Sequence, residues 1–521
     1  MDGTKAGTDV GRFKVIIVGA GVTGLYLAHA FAKADIDYVV LDKHPVAPAW
    51  GSSISLYPSG GRIMDQVGLY DVLDAKKAEM RDFHLRGPDG KTYASAPFMK
   101  EFSDCGGYLV MTFERRVFLQ TLYDELPDKS KVVEHARVSG IVEQEGRVRV
   151  MLADGGVHEG DVVIGCDGIH SAVRELLWER AQRLCPGLIT VEEKQRITAT
   201  YTCLTGIAPY QPGGVGGQAM SSASFDGFSF LFLTQPDHVY FFVFIRNLPG
   251  GDGGNGSKCK GTSKYPNRLR FTDADADAVA ARVLDCPVSE TLVFGDIWKA
   301  RTRGQLVALE EGVLSHWFLG RTALCGDSAH KVTPNAGFGG NLGLEGAVVL
   351  ANEIYAAVEA AKQMSKGKKG KPTDEAIGRA FSNYQEAQRP RAKHLYNLSW
   401  VWTRMQAYDG WGWYIAQRWI LPWVMLAGPR QIAAFMATAP KLSFVPFHQR
   451  SGKVPWEKQK WELPEEKIRP QQMKSFRGAG FSGLIALVVI LGFILLSYSA
   501  GVWSLGRTVK TSLHWGDNIT V

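Results

Sequence analysis

The sequence predicts an α/β chain: a doubly wound, Rossmann-like domain, a mainly antiparallel β domain inserted into it, a helical C-terminal region and one C-terminal transmembrane helix. Three observations predict it. An apolar run passing straight into a glycine-rich turn opens the chain at Val15–Gly24 (VIIVGAGVTG). A second run of the same kind returns far downstream at Leu324–Asn341 (LCGDSAHKVTPNAGFGGN), and no charged residue occurs from Gly478 to Gly506.

Val15 to Val18 suit a strand buried on both faces. Gly19, Gly21 and Gly24 follow in GxGxxG spacing, and a helical run, Leu25 to Ala34, comes next. Gly19 permits the tight turn, Gly21 lets a pyrophosphate approach the backbone, and Gly24 lets helix and strand pack closely. The helix N-terminus then offers unpaired N–H groups and a partial positive charge to the phosphates. A second strand, Tyr38 to Leu41, ends in Asp42, whose carboxylate can accept hydrogen bonds from a ribose diol. That acid favours FAD or NAD over NADP. The GGVGG run at Gly213–Gly217 follows a proline-containing turn rather than a strand, so it is no second copy of the motif.

A chain of 521 residues buries a large core and has room for two domains with additions. Its 45% hydrophobic and 21% charged residues are the balance of a globular protein. The net charge of +7 is not gathered into a basic stripe interleaved with aromatics, which argues against a nucleic-acid partner. Much of the excess lies in Lys362–Lys371, a solvated loop, and in Arg450–Arg477. The seven cysteines are odd in number, scattered and without a CxxC pair, so neither a disulfide framework nor a metal site is expected. Cys166 and Cys325 sit beside the glycine motifs and read as buried space-fillers.

Residues 12–180 read as the first part of the nucleotide-binding domain, 181–310 as the substrate domain, and 311–400 as the return to the nucleotide-binding domain. Strand-like runs at Ala199–Ile207, Phe228–Leu233 and His238–Ile245 give the middle section its antiparallel character, with a Gly-rich loop at Pro249–Lys264. Residues 401–477 form an aromatic helical cap and a basic linker. Trp411–Phe447, interrupted by Pro422, Pro429, Pro440 and Pro446, reads as a cap on the core, with monolayer contact or a second membrane segment as the alternatives.

Met1–Arg12 is polar, so no signal peptide is expected. Residues 478–506 have the length and composition of one membrane-spanning helix, with Tyr498 and Trp503 near its far end. Lys467, Arg469, Lys474 and Arg477 flank its near side against Arg507 and Lys510 beyond. The positive-inside rule therefore places the body in the cytosol, on the endoplasmic reticulum. Asn518 opens a glycosylation sequon on the lumenal side.

Val162–Arg174 (VVIGCDGIHSAVR) is another strand running through Asp167 and Gly168 into a helix; alone it reads as an acid-capped turn, and only the downstream stretch makes it part of a flavin site. Downstream, Asp327 can bind a ribityl hydroxyl, and the N–H groups near Gly339–Leu342 can approach a pyrophosphate or the flavin O2 side. The three motifs together resemble the single-component FAD-dependent aromatic hydroxylases and epoxidases typified by p-hydroxybenzoate hydroxylase, over residues 12–400. Gly51–Asp71, Phe113–Leu126 and Gly326–Asn335 look most similar to the fungal monooxygenases of meroterpenoid and indole-diterpene pathways.

The resemblance implies FAD contacts at Asp42, Ser55, Arg115, Asp327 and Gly340, beside Gly19, Gly21 and Gly24. Asp42 stands where Glu is usual, Ser55 where Gly is common, and Glu345-Gly346 replaces a frequent Glu-Asp or Glu-Ser pair. Arg116 leaves the arginine register open by one. No acid/base residue is assigned: Tyr201 reads as packing, and His330 as a structural part of the flavin loop. What the resemblance implies is a membrane-anchored enzyme that uses NADPH and O2 to epoxidise an olefin of a farnesyl or geranylgeranyl chain, working with a downstream terpene cyclase. Lipid at the bilayer surface would present such a substrate, since each buried CH2 is worth about 0.8 kcal/mol. Ring hydroxylation of a phenol or polyketide, prenyl-chain reduction, and non-enzymatic escort of prenylated proteins are the alternatives.

Overall fold

The apolar run at the N-terminus forms Lys14–Val18, an inner strand of a six-stranded sheet in a computed structural model that describes residues 11–48, 51–144, 146–210, 214–247, 262–264, 269–365 and 370–457. The expected membrane helix at 478–506, Asn518 and most of the Gly-rich loop lie outside the described residues. The sheet runs Phe318–Leu319, Thr322–Leu324, Val162–Gly165, Lys14–Val18, Asp37–Leu41, Val132–Val133. All neighbours are parallel except the first pair. Val15, Ile16 and Ile17 are wholly buried, which is why this strand reads as a continuous apolar run rather than an alternation.

The second large sheet has nine strands. It is ordered His330–Lys331, Arg303–Val313, Thr198–Pro209, His238–Arg246, Phe228–Thr234, Ala219–Phe225, Asp82–Arg86, Thr92–Ala96, with Ser263–Lys264 pairing onto Thr198–Pro209. The three strand-like runs of the middle section are present, each slightly longer than expected. The sheet is not confined to residues 181–310, however. Asp82–Arg86 and Thr92–Ala96 join it from the first section, and Arg303–Val313 crosses the expected boundary. Asp82–Arg86 enters parallel to Ala219–Phe225, with Phe83 opposite Met220. Local alternation shows that a strand exists but carries no information about which sheet accepts it.

Two long helices, Phe338–Met364 and Asp374–Gln406, follow the return to the parallel sheet. Glu345, wholly buried in the first, forms an ion pair with Arg391 of the second. The aromatic segment is not broken at Pro422 or Pro429. Trp411–Ile415, a π-helical turn at Ala416–Ile420 and Leu421–Ala437 run on as one helical stretch. Pro422 lacks an N–H and its ring crowds the carbonyl four residues back, at Arg418; the widened π turn contains that carbonyl and absorbs the conflict. The chain then folds back over the core, where Gln66 Nε2 donates to the carbonyls of Leu442 (2.7 Å) and Val445 (2.9 Å).

Candidate functional site

The C-terminal ends of the parallel strands face the inner surface of the nine-stranded sheet across a cavity of ≈ 760 Å³. Gly21, Ser55, Arg115, Asp327 and Gly340 line it, together with Gly168 of the middle motif. Met220, Leu231, Leu233 and Phe242 of the antiparallel sheet form part of the opposing wall.

The three N-terminal glycines occupy three different environments. At Gly19 (φ +110°) a Cβ would lie 2.5 Å from the Cys166 carbonyl oxygen, and at Gly24 it would lie 1.9 Å from the Gly19 carbonyl oxygen. At Gly21 a Cβ would meet no atom within 4 Å, because it would project into the cavity. Gly21 is also the N-cap of the helix Val22–Lys33, which has no capping side chain and no acid in its first turn. Gly337 caps Phe338–Met364 with the same two features, and Gly339 and Gly340 line the cavity. Two uncapped helix N-termini therefore open on one space, each with free N–H groups and a partial positive charge.

Arg115 adds a full charge. Arg115 lines the cavity, whereas Arg116 is exposed and does not. Glu114 is taken by Arg303, and no carboxylate among the described residues lies within ion-pair distance of Arg115. Burial lowers its pKa while Asp327 and Asp42 draw it back, and a guanidinium stays protonated regardless. Asp327 pairs with Lys331 through Oδ2, and Oδ1 has no protein partner among the described residues. Asp42 does not line the cavity but clasps the glycine turn. Its Oδ2 accepts from Ala20 N (2.6 Å) and its Oδ1 from His44 N (2.8 Å). Each oxygen keeps a second lone pair for a ribose hydroxyl. The Ser55 hydroxyl hydrogen-bonds Thr112 Oγ1 at 3.0 Å, which fixes the strand Ser53–Leu56 against Met111–Glu114.

The middle motif contains the acid-capped turn. Asp167 accepts from Ser171 Oγ (2.5 Å) and Val173 N (3.1 Å), capping the helix Ala172–Leu184, and burial raises its pKa. Arg174 of the same motif donates to the carbonyls of Ser328 (3.0 Å) and Ile169 (2.6 Å), locking the middle and downstream loops together. His330 is buried beside Trp317, and burial holds its pKa at about 4. It is neutral at pH 7 and does not line the cavity, as expected of a structural residue. Tyr201 is buried on its strand and donates to Asp409 Oδ2 (3.2 Å), away from the cavity.

Sequence reasoning missed four contributors. Asn341 ties the long helix to the strand Ser53–Leu56: its Oδ1 accepts from Tyr57 N (2.9 Å) and its Nδ2 donates to Ser55 O (2.9 Å). Tyr57 in turn donates through its hydroxyl to Ala336 O (2.7 Å). His170 and Glu310 line the cavity from its two sides, Nε2 to Oε1 3.5 Å. Asn341, His170 and Tyr57 stood inside the motifs named above; Glu310, within the strand Arg303–Val313, had no such signal.

A second cavity, ≈ 250 Å³, adjoins the first and shares Tyr57, Met220 and Asn335 with it. Phe83, Phe98, Phe102, Phe338 and Trp402 give it an apolar wall, and the stretch Trp411–Ala437 closes its outer side. The cap reading of that stretch therefore describes its inner face.

Residues 12–184 and 295–365 match a family described as FAD binding domain. The chain is 42% identical over 506 residues to the FAD-dependent monooxygenase DEP2 of Alternaria brassicicola, covering 94% of this chain and 92% of that protein. It is 33% identical over 451 residues to the FAD-dependent monooxygenase nvfK of Aspergillus novofumigatus, covering 86% and 91%. Among solved structures, Klebsiella pneumoniae HpxO, complexed with FAD and uric acid, superposes with a TM-score of 0.64 at 20% identity over 82% of this chain and 97% of that one, a likeness of fold.

Proposed function

The chain belongs to the FAD-dependent monooxygenases, and from that premise we propose that it epoxidises an olefin of a prenyl chain carried on a meroterpenoid or indole-diterpene intermediate. The observation that carries this reading is the apolar cavity that adjoins the proposed cofactor cavity, with Tyr57, Met220 and Asn335 on the lining of both. A hydrocarbon chain fits the aromatic part of this wall, while Asn335, His394, Asp409 and Gln431 on the same lining leave partners for the polar head that carries it.

In this reading Gly21, the two helix N-termini and Arg115 would hold the pyrophosphate, Asp42 the adenosine ribose, Asp327 the ribityl chain and Gly340 the ring edge. Bound FAD would supply the redox chemistry between NADPH and O2. The balance is alkene, NADPH, a proton and O2 going to epoxide, NADP+ and water. The protein's part is to exclude water, to orient the alkene along the apolar wall and to move the proton, for which His170 Nε2 beside Glu310 is placed on the cavity lining. The C-terminal apolar stretch would hold the body at the cytosolic face of the endoplasmic reticulum, where a terpene cyclase takes up the product.

The test is NADPH oxidation and product analysis with matched aromatics that carry or lack a prenyl chain. Substrate-stimulated oxidation giving an epoxide that hydrolyses to a diol is expected only with the prenylated member. Oxygen placed on the ring of either member would establish the hydroxylase alternative instead, and stimulated oxidation without any oxygenated product would overturn both.

A further inference from the structure

The helical stretch Trp411–Ala437 has an outer face that its role as a cap does not explain. Trp411, Ile415, Trp419, Trp423 and Leu426 are all exposed, with Trp419 and Trp423 at 65% and 73%. They succeed one another at intervals of four, four, four and three residues, which places them on one side of the helix. Tyr414 is exposed beside them. The inner side is pinned to the body by buried Leu421, Met425 and Met436 and by Gln417, whose amide donates to Ser224 Oγ.

We propose that this outer face docks into the headgroup region of an anionic bilayer as a monotopic element, distinct from any spanning helix. Four observations support that occupant. Tryptophan is the side chain that favours the boundary between headgroups and acyl chains, and three stand in this row. The only charges from Trp411 to Ala437 are Arg418 and Arg430, both positive and complementary to acidic lipid. A helix packed along one side against a protein body can bury only its free side, by the depth of a side chain or two. Finally, Glu457 N donates to Ala437 O (3.1 Å), so the chain leaves the described region beside this helix's own end. Residues 458–477 alone then separate it from the uncharged stretch Gly478–Gly506.

Trp411, Trp413, Ala416, Ile420 and Val424 of the same stretch also line the apolar cavity. Resting on the proposed function, a prenyl chain would then enter from the acyl region along this helix without crossing water.

The test uses the full chain in vesicles of phosphatidylcholine and phosphatidylserine. Nitroxide labels are placed through Trp419→Cys, Trp423→Cys and, as a solvent control, Val191→Cys, with Cys185, Cys259 and Cys286 replaced by serine. Retained flavin absorbance certifies that each variant is folded. The expected result is that oxygen relaxes the labels at 419 and 423 more than a water-soluble nickel chelate does, with the order reversed at 191. The nickel chelate dominating at 419 and 423 would overturn the proposal. Exclusion of both relaxants there would also overturn it, showing a protein partner or a second copy on this face. Neither readout depends on turnover, so failure of the docking and failure of the proposed reaction are separable.

Discussion

Replacing Gly21 by alanine separates cofactor binding from folding. The new methyl meets no protein atom within 4 Å, and the backbone there (φ −82°, ψ −171°) is extended, which any residue adopts. Two small effects oppose each other in the apoprotein. Restricting the unfolded chain stabilises by about 0.4–1 kcal/mol, and alanine is a poorer N-cap than glycine by a similar amount. Apoprotein stability should therefore change by about 0.5 kcal/mol or less. In the holoprotein the methyl occupies the space through which a pyrophosphate reaches the helix N–H groups. Losing one charge-assisted hydrogen bond costs about 1.5–3 kcal/mol, a rise in FAD Kd of roughly 10- to 150-fold. The assay is titration of stripped protein with FAD, followed by flavin fluorescence, beside thermal unfolding of the apoprotein. Gly24→Ala is the contrast: its Cβ would fall 1.9 Å from the Gly19 carbonyl oxygen, so strand and helix must part and the apoprotein itself should unfold at lower temperature. An unchanged FAD Kd in Gly21→Ala would refute the reasoning, because it would mean the phosphates do not approach the backbone at Gly21.

Arg115→Gln should weaken FAD by about 1.5–3 kcal/mol in the same titration, while Arg116→Gln, at an exposed position, should leave it unchanged. Asn341→Ala leaves Tyr57 N and Ser55 O without their partners, so urea unfolding should show a loss of about 3 kcal/mol; a loss below 1 kcal/mol would mean that water replaces the amide. His330 sets a pH dependence of known sign. Above pH 6.5 the ring is neutral folded and unfolded; as pH falls from 6.5 towards 4 only the unfolded chain takes up the proton, so stability falls by up to about 3 kcal/mol and levels off below. Urea midpoints of His330→Phe across that window should lack this component of the slope.

The parts of the site that were legible in advance are those with a local cause. Gly19 and Gly24 need their lack of a side chain within a few residues of themselves, and Asp42 follows its strand directly, so spacing alone reports them. The Arg115 register was illegible because neighbouring residues differ only in which way they face. That direction follows from the packing of the strand Met111–Glu114 against Ser53–Leu56. His170 and Glu310 come from chain segments that meet only across the cavity, and no short-range pattern encodes a separation of that kind. The helix through Pro422 was misread for a related reason. Propensity counts the missing N–H, whereas the packing of Leu421, Met425 and Met436 holds the helix and the π turn takes up the strain.

By itself the sequence determined the nucleotide-binding βαβ unit and the separate strand-to-loop motif downstream, since each is written in contiguous residues whose conformations are set by near neighbours, and the motifs together carried the resemblance to the monooxygenase family. The tertiary structure alone decided that Asp82–Arg86 and Thr92–Ala96 complete the antiparallel sheet, that Arg115 rather than Arg116 lines the cavity, and that one helix divides its apolar residues between a cavity wall and an exposed tryptophan row. Those outcomes depend on which surfaces meet after distant segments have packed, and hydrophobic burial is non-directional until the rest of the fold supplies the other face.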